Sequence, residues 1–126
     1  MRAVDTNVLV RLILGDNPQQ EASAQRFIAT GAWASVLVLA ETVWVLGATY
    51  GRNPPRLAAA IEKLLGVEGL VIEDGDTVAA ALDLFRARPS LGFSECLILE
   101  LARKACHLPL GTFDRNLGRI DGAQRL

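Results

Sequence analysis

Short apolar runs alternate along the chain with longer segments whose apolar positions recur at helical spacing. The short runs predict strands at residues 2–5, 33–35, 70–72 and 108–113. The longer segments predict helices at residues 8–14, 18–30, 36–50, 56–65, 74–88 and from 92–95 to about 107, and residues 115–126 predict a short helix or turn followed by an edge strand. This alternation favours an α/β fold with a mainly parallel sheet and helices on both faces. We find no repeat or linker that would divide the chain, and therefore expect a single domain over residues 1–126.

Polar residues at the predicted helix starts fix several of these boundaries. Asn17 followed by Pro18 is typical of a helix N-terminus, and Ser35 can cap the helix at 36–50. Thr6 and Asn7 offer capping side chains before the helix at 8–14. The helix at 36–50 is apolar almost all round, so we expect it to be buried on every side.

Four acidic residues lie inside or beside these apolar runs, where a carboxylate is costly unless something pairs with it: Asp5, Glu41, Glu95 and Asp114. Asp5 is the last residue of one predicted strand and Asp114 directly follows another, and ligands of open α/β sheets bind at the carboxyl ends of strands. Glu41 lies in the apolar helix, and no basic residue occurs between residues 31 and 50 to pair with it locally.

Each carboxylate also has an ordinary structural explanation. Asp5 and Asp114 can simply cap the helices that follow them, and Glu95 can favour the dipole of the helix whose first turn it occupies. Glu41 can pair with a distant cation such as Arg11 or Arg103. Taken together, however, the carboxylates predict a shared pocket for a hard divalent cation, because Mg²⁺ and Mn²⁺ prefer oxygen ligands. Such a site suits the hydrolysis of phosphate esters.

Other chemistries are less well supported. The only histidine is His107, and no nucleophile elbow or phosphate-binding glycine loop is present. Cys96 and Cys106 fall on one predicted helix, too far apart for an internal disulfide, and we expect both to be buried thiols. An aspartyl-phosphate enzyme with Asp5 as its nucleophile is a weaker hypothesis, because Asn7 stands where that class of enzyme usually has a second acid.

The charge balance says little about the binding partners of the protein, whereas its hydropathy bears on where the protein is located. Thirteen basic residues face fourteen acidic ones, and the basic residues are in excess once the four candidate ligands are set aside. That balance is compatible with a nucleic-acid partner. We see no targeting segment, and the longest apolar stretch, residues 32–48, is shorter than a membrane span and contains Glu41. We therefore expect a cytoplasmic protein that makes no membrane contact.

Four segments resemble the motifs of PIN-domain ribonucleases. They are VDTNVLV at residues 4–10, AETVWVL at 40–46, FSECLI at 93–98 and TFDRNL at 112–117, in the order and at the spacing of that family. The size is similar to that of VapC-type toxins of toxin–antitoxin pairs. The sequence departs from the family's pattern at Glu95, where the family usually has Asp, and at Gly92, where some members have an acidic residue.

This resemblance implies a three-layer α/β/α fold with a central parallel sheet and an endoribonuclease that depends on Mg²⁺ or Mn²⁺. The implied metal ligands are Asp5, Glu41, Glu95 and Asp114, supported by Thr6, Asn7 and Thr112. We expect Arg115 to contact RNA, because it adjoins Asp114. The implied partners are RNA, a small antitoxin protein and a second copy of the chain. The alternative is a PIN-fold interaction module whose catalysis is weakened by the longer Glu95 side chain.

Overall fold

The computed structural model describes residues 1–126 and has six α-helices and five short strands. In chain order they are β1 (Arg2–Ala3), α1 (Thr6–Leu14), α2 (Pro18–Ala29), β2 (Ala32–Ala34), α3 (Val36–Ala48), α4 (Pro54–Leu65), β3 (Leu70–Ile72), α5 (Gly75–Ala87), α6 (Phe93–Lys104), β4 (Leu110–Thr112) and β5 (Ala123–Arg125). Two single-turn 3-10 helices, Pro89–Leu91 and Leu117–Arg119, precede α6 and β5. The chain forms two compact units, Met1–Gly75 and Asp76–Leu126, which we call the first and second units.

The first unit contains a three-stranded parallel sheet with the order β1-β2-β3. Ala32 at the start of β2 pairs with Arg2 on one side and Leu70 on the other. All three strands therefore end at the same edge of the sheet. In this unit, α1 packs against α2 and α3, and α4 packs against α3 and β3.

Capping residues next to each helix explain where three helices of the first unit begin. The side chains of Asn17, Ser35 and Asn53 accept hydrogen bonds from the backbone N–H groups of Gln20, Val38 and Arg56. Each of these bonds satisfies an N–H group that the helix itself leaves unpaired. The predicted starts of α2 and α3 are confirmed.

The second unit pairs β4 with β5 in parallel, so that Leu110 lies opposite Ala123. Near α6, the rings of Phe85 and Phe93 meet edge to face with centroids 6.0 Å apart. This geometry suits the quadrupoles of two aromatic rings. Parallel strands in both units, interleaved with six helices, confirm the predicted α/β class. The single domain over residues 1–126 stays a prediction.

The two cysteines differ in their exposure to solvent. Cys96 is buried, but Cys106 is exposed and lies beyond the end of α6 at Lys104. The prediction of two buried thiols on one helix is therefore wrong for Cys106. None of the helices has the length and apolar character that a membrane crossing requires.

Candidate active site

Asp5 lies just past the carboxyl end of β1 and is the N-cap of α1. Its Oδ1 accepts a hydrogen bond of 3.3 Å from the backbone N–H of Val8. The expectation that Thr6 and Asn7 would cap this helix is wrong, because they are its first two residues. The Asp5 side chain is exposed and forms no ion pair, so its remaining oxygen lone pairs are available to a ligand.

Glu41 lies on an exposed face of α3, and the prediction that this helix is buried on every side is wrong. Leu37 and Trp44, one turn before and after it, are 74% and 66% exposed. Residues on the opposite face, including Leu39 and Leu46, are fully buried. The burial for which we expected Glu41 to need a partner is therefore absent, and the carboxylate is open to solvent.

The two cations considered as partners of Glu41 are engaged elsewhere. Arg11 donates to the Tyr50 hydroxyl at 3.2 Å and to the Asp16 carboxylate at 2.8 Å, and these bonds raise the pKa of Arg11. Arg103 contacts residues of the second unit, namely the Glu100 carboxylate and the Asp121 carbonyl oxygen. Glu41 is therefore not neutralised by either of them.

Glu73 fixes the helix that carries Glu41, and the sequence reasoning missed it. Its Oε1 accepts a hydrogen bond of 2.9 Å from the backbone N–H of Val36, the first residue of α3. Its own backbone N–H donates to the carbonyl oxygen of Ala34 at 2.9 Å. The available signal was an acidic residue directly after a predicted strand, the same signal that drew attention to Asp5 and Asp114.

Glu95 occupies the first turn of α6, as predicted, and is half-buried. Gly92 immediately precedes this helix with φ 81° and ψ 149°, a conformation that L side chains rarely adopt. A Cβ atom at residue 92 would collide with the Glu95 carboxylate. The missing side chain at Gly92 therefore gives the longer Glu95 side chain room to fold back towards the start of its helix.

Asp114 is the second residue after the end of β4 and is held by its neighbours in the chain. Its backbone N–H donates to the Thr112 hydroxyl oxygen at 3.0 Å, and its Oδ1 accepts from the backbone N–H of Leu117 at 2.7 Å. Thr112 thus orients Asp114 through the backbone. The flanking Phe113 is 80% exposed, and Arg115 is exposed and forms no ion pair.

The four candidate ligands offer only carboxylate oxygens, which suits a hard divalent cation. Asp5 and Glu41 belong to the first unit, and Glu95 and Asp114 to the second. Neither unit by itself contains a group of three or more His, Cys, Asp or Glu side chains that could hold a metal ion. Coordination of one ion by all four residues therefore stays a prediction, as do the supporting roles of Thr6, Asn7 and Thr112.

The structure gives no support to a cysteine nucleophile. Burial, together with the nearby charges of Glu95 and Glu100, raises the pKa of Cys96 to about 11. A thiol with such a pKa is almost entirely protonated near neutral pH and is a poor nucleophile. Cys106 and His107 are both exposed.

Comparison with known proteins identifies the family. The model of the PIN domain matches residues 2–123, which is nearly the whole chain. No curated protein and no solved structure matches the chain significantly. The family match agrees with the α/β fold, the six helices and the parallel strands described above. The chain therefore belongs to the PIN-domain family, whose members are typically nucleases that depend on divalent metal ions.

Proposed function

We propose that this protein is a metal-dependent endoribonuclease and the toxin of a type II toxin–antitoxin pair. The observation that carries the proposal is that Asp5, Glu41, Glu95 and Asp114 all lack a basic partner within the protein. Asp5 and Asp114 follow strands, Glu95 lies in the first turn of α6, and Glu41 lies on the exposed face of α3. Within a fold family of nucleases, such carboxylates are donors available to a cation. The resemblance to VapC-type toxins in motif order and size supports the toxin assignment.

In this proposal Asp5, Glu41, Glu95 and Asp114 hold Mg²⁺, for which Mn²⁺ can substitute. When bound, such an ion neutralises the phosphate and lowers the pKa of a bound water. The Val8 and Leu117 N–H groups restrict the Asp5 and Asp114 carboxylates, since each accepts one of these hydrogen bonds. A carboxylate that is already oriented loses little further freedom when it binds a ligand or accepts a proton from water.

Residues next to these carboxylates complete the proposed site. Thr6 and Asn7 lie in the first turn of α1 directly after Asp5, and Thr112 holds the backbone of Asp114. Arg115 is exposed and free of ion pairs, so it can contact a phosphate of the substrate. Unpaired RNA is the expected substrate, because its backbone is the most easily placed against an acidic metal site.

Two protein partners belong to the proposal: a second copy of the chain and an antitoxin, both acting in the cytoplasm. The exposed apolar side chains of Leu37 and Trp44 on α3 support an interface with another protein. Phe85, on α5, is buried and therefore packs in the core rather than at an interface. Light scattering should give the mass of a dimer, and a monomer at high concentration would remove this part of the proposal.

The test of the activity is RNA cleavage by the wild type and by Asp114→Asn, with Mg²⁺ or Mn²⁺ and with a chelator. The Asn side chain keeps an oxygen that can accept from the Leu117 N–H group but removes the charge that binds the metal. We expect metal-dependent cleavage by the wild type and a loss of at least about a hundredfold in the variant. Equal cleavage by both proteins would contradict the proposed roles.

The second candidate is an interaction module on the same fold, which the longer Glu95 side chain favours. The absence of a side chain at Gly92 weakens this alternative, because the volume left free there accommodates the longer Glu95 side chain. A Mn²⁺ titration distinguishes the two functions, since the interaction module needs no metal site. Absence of both metal binding and RNA cleavage would favour the interaction module.

A further inference from the structure

A cavity of about 680 Å³ in the first unit opens along α1 and α2. Its walls include Asn7 and Val8 from the first turn of α1, and Gln19 and Gln20 from the start of α2. Val8 is the residue whose N–H group donates to the Asp5 carboxylate. The cavity therefore begins beside one of the proposed metal ligands, and its volume lies in the range of small-molecule sites.

Unpartnered amides give this cavity its chemical character. The side chains of Asn7, Gln19 and Gln20 form no hydrogen bond within the protein. Each amide presents both a donor and an acceptor, which is also the pattern on the edges of nucleobases. No carboxylate is among the residues that line the cavity itself.

Two further walls are held in place by neighbouring groups. The Phe27 ring borders the cavity, and the guanidinium of Arg2 lies 3.8 Å from its centroid and also donates to the Phe27 carbonyl oxygen. Arg11 borders it as well and is fixed by Asp16 and Tyr50. An aromatic ring is a surface on which bases pack, which makes Phe27 a suitable neighbour for a base.

We propose that the α1–α2 cavity binds one unpaired base of the RNA substrate and thereby sets the sequence preference of cleavage near Asp5. The proposal rests on the proposed nuclease function and names a recognition site for it. A nucleobase is favoured over a protein helix because three amides without a hydrogen-bond partner in the protein line this cavity together with an aromatic ring. Single-stranded RNA is recognised in this way, by base edges that hydrogen-bond and base faces that pack on aromatic rings.

The test compares Gln19→Ala/Gln20→Ala with Gln25→Ala, a matched control on the same helix that does not line the cavity. Alanine favours helix, and the cap of α2 uses the backbone of Gln20, so α2 is retained. Labelled tetranucleotides of A, C, G and U are titrated by fluorescence anisotropy in the presence of a chelator, which prevents cleavage. Cleavage of RNAs that differ at one base is then measured with Mn²⁺.

We expect the wild type and Gln25→Ala to prefer one base, and the double variant to bind that base about tenfold more weakly. The same variant should lose the base preference in cleavage while still cleaving. A double variant that matches the wild type in both measurements overturns the proposal and leaves the cavity to a peptide partner. Selective binding of one base without any RNA cleavage supports the cavity and refutes the nuclease function instead.

Discussion

Replacing Gly92 by alanine tests whether this glycine makes room for Glu95 at the start of α6. The backbone at Gly92 has φ 81° and ψ 149°, a region that costs a residue with a Cβ atom about 1–3 kcal/mol. In addition, the new Cβ atom would displace the Glu95 carboxylate from the space it occupies. The Gly92→Ala variant should therefore be less stable and should hold Glu95 in a different position.

The stability cost can be converted into a melting temperature. For a domain of this length, 1 kcal/mol corresponds to about 4 °C, so Gly92→Ala should lower Tm by about 4–12 °C in a thermal unfolding experiment. The displaced carboxylate should also reduce the additional stabilisation that Mn²⁺ gives to the wild type. Both effects can be followed by circular dichroism with and without the metal ion.

Gly75→Ala is the matched control for this substitution. Gly75 is the first residue of α5, its φ lies outside the left-handed region, and a Cβ atom there would meet nothing within 4 Å. Alanine at that position should leave the protein unchanged or more stable by up to about 1 kcal/mol. If Gly92→Ala has the Tm and the Mn²⁺ response of the wild type, then the backbone conformation at residue 92 does not require a glycine, and the glycine does not position Glu95.

Three further predictions concern stability and thiol chemistry. Glu73→Ala should cost about 1.5–3 kcal/mol in urea unfolding, because the Val36 N–H group loses a charged acceptor, whereas the exposed Glu68→Ala should cost less than about 0.5 kcal/mol; equal costs would contradict the role of Glu73. Folding raises the pKa of Cys96 from 9.0 to about 11, so between these pH values the folded protein keeps a proton that the unfolded chain loses. The stability contributed by this thiol is therefore present below pH 9 and is lost as the pH rises towards 11. The urea midpoint of the wild type should therefore fall more steeply over that interval than that of Cys96→Ala, and parallel curves would refute the assignment. Iodoacetamide should modify Cys106 in the native protein and Cys96 only after unfolding, with mass spectrometry as the readout.

Sequence alone predicted those elements whose signals are local. The Asn17-Pro18 start of α2, the Ser35 cap of α3 and the strand Leu70–Ile72 all appear where they were expected. A cap or a turn depends on two to four adjacent residues, so the pattern contains nearly all the information. The strands predicted at residues 2–5 and 108–113 are shorter in the structure, where they span Arg2–Ala3 and Leu110–Thr112. Strand ends depend on where the partner strand stops, which no local pattern contains.

Exposure and long-range contacts were the features that the sequence did not reveal. The helix α3 is apolar on all sides, so periodicity could not distinguish Leu37 and Trp44, which face solvent, from the buried Leu46. The capping bond from Val36 to Glu73 joins residues that are 37 positions apart. The helix α6 ends before Cys106, which has φ 63°, although no glycine or asparagine marks this end. The candidate carboxylates were found by their chemistry, while their surroundings required the structure.

The central claim is that carboxylates including Asp5 bind a divalent cation, and thermal unfolding of the wild type and Asp5→Asn with Mn²⁺ tests it most directly. Asparagine caps a helix about as well as aspartate, so without metal the two proteins should have similar Tm values. At a Mn²⁺ concentration of about a hundred times Kd, the wild type should gain about 2.7 kcal/mol, or roughly 10 °C in Tm. The variant should gain almost nothing. A wild type that does not respond to Mn²⁺, or a variant that responds equally, would contradict the metal site and the nuclease function built on it.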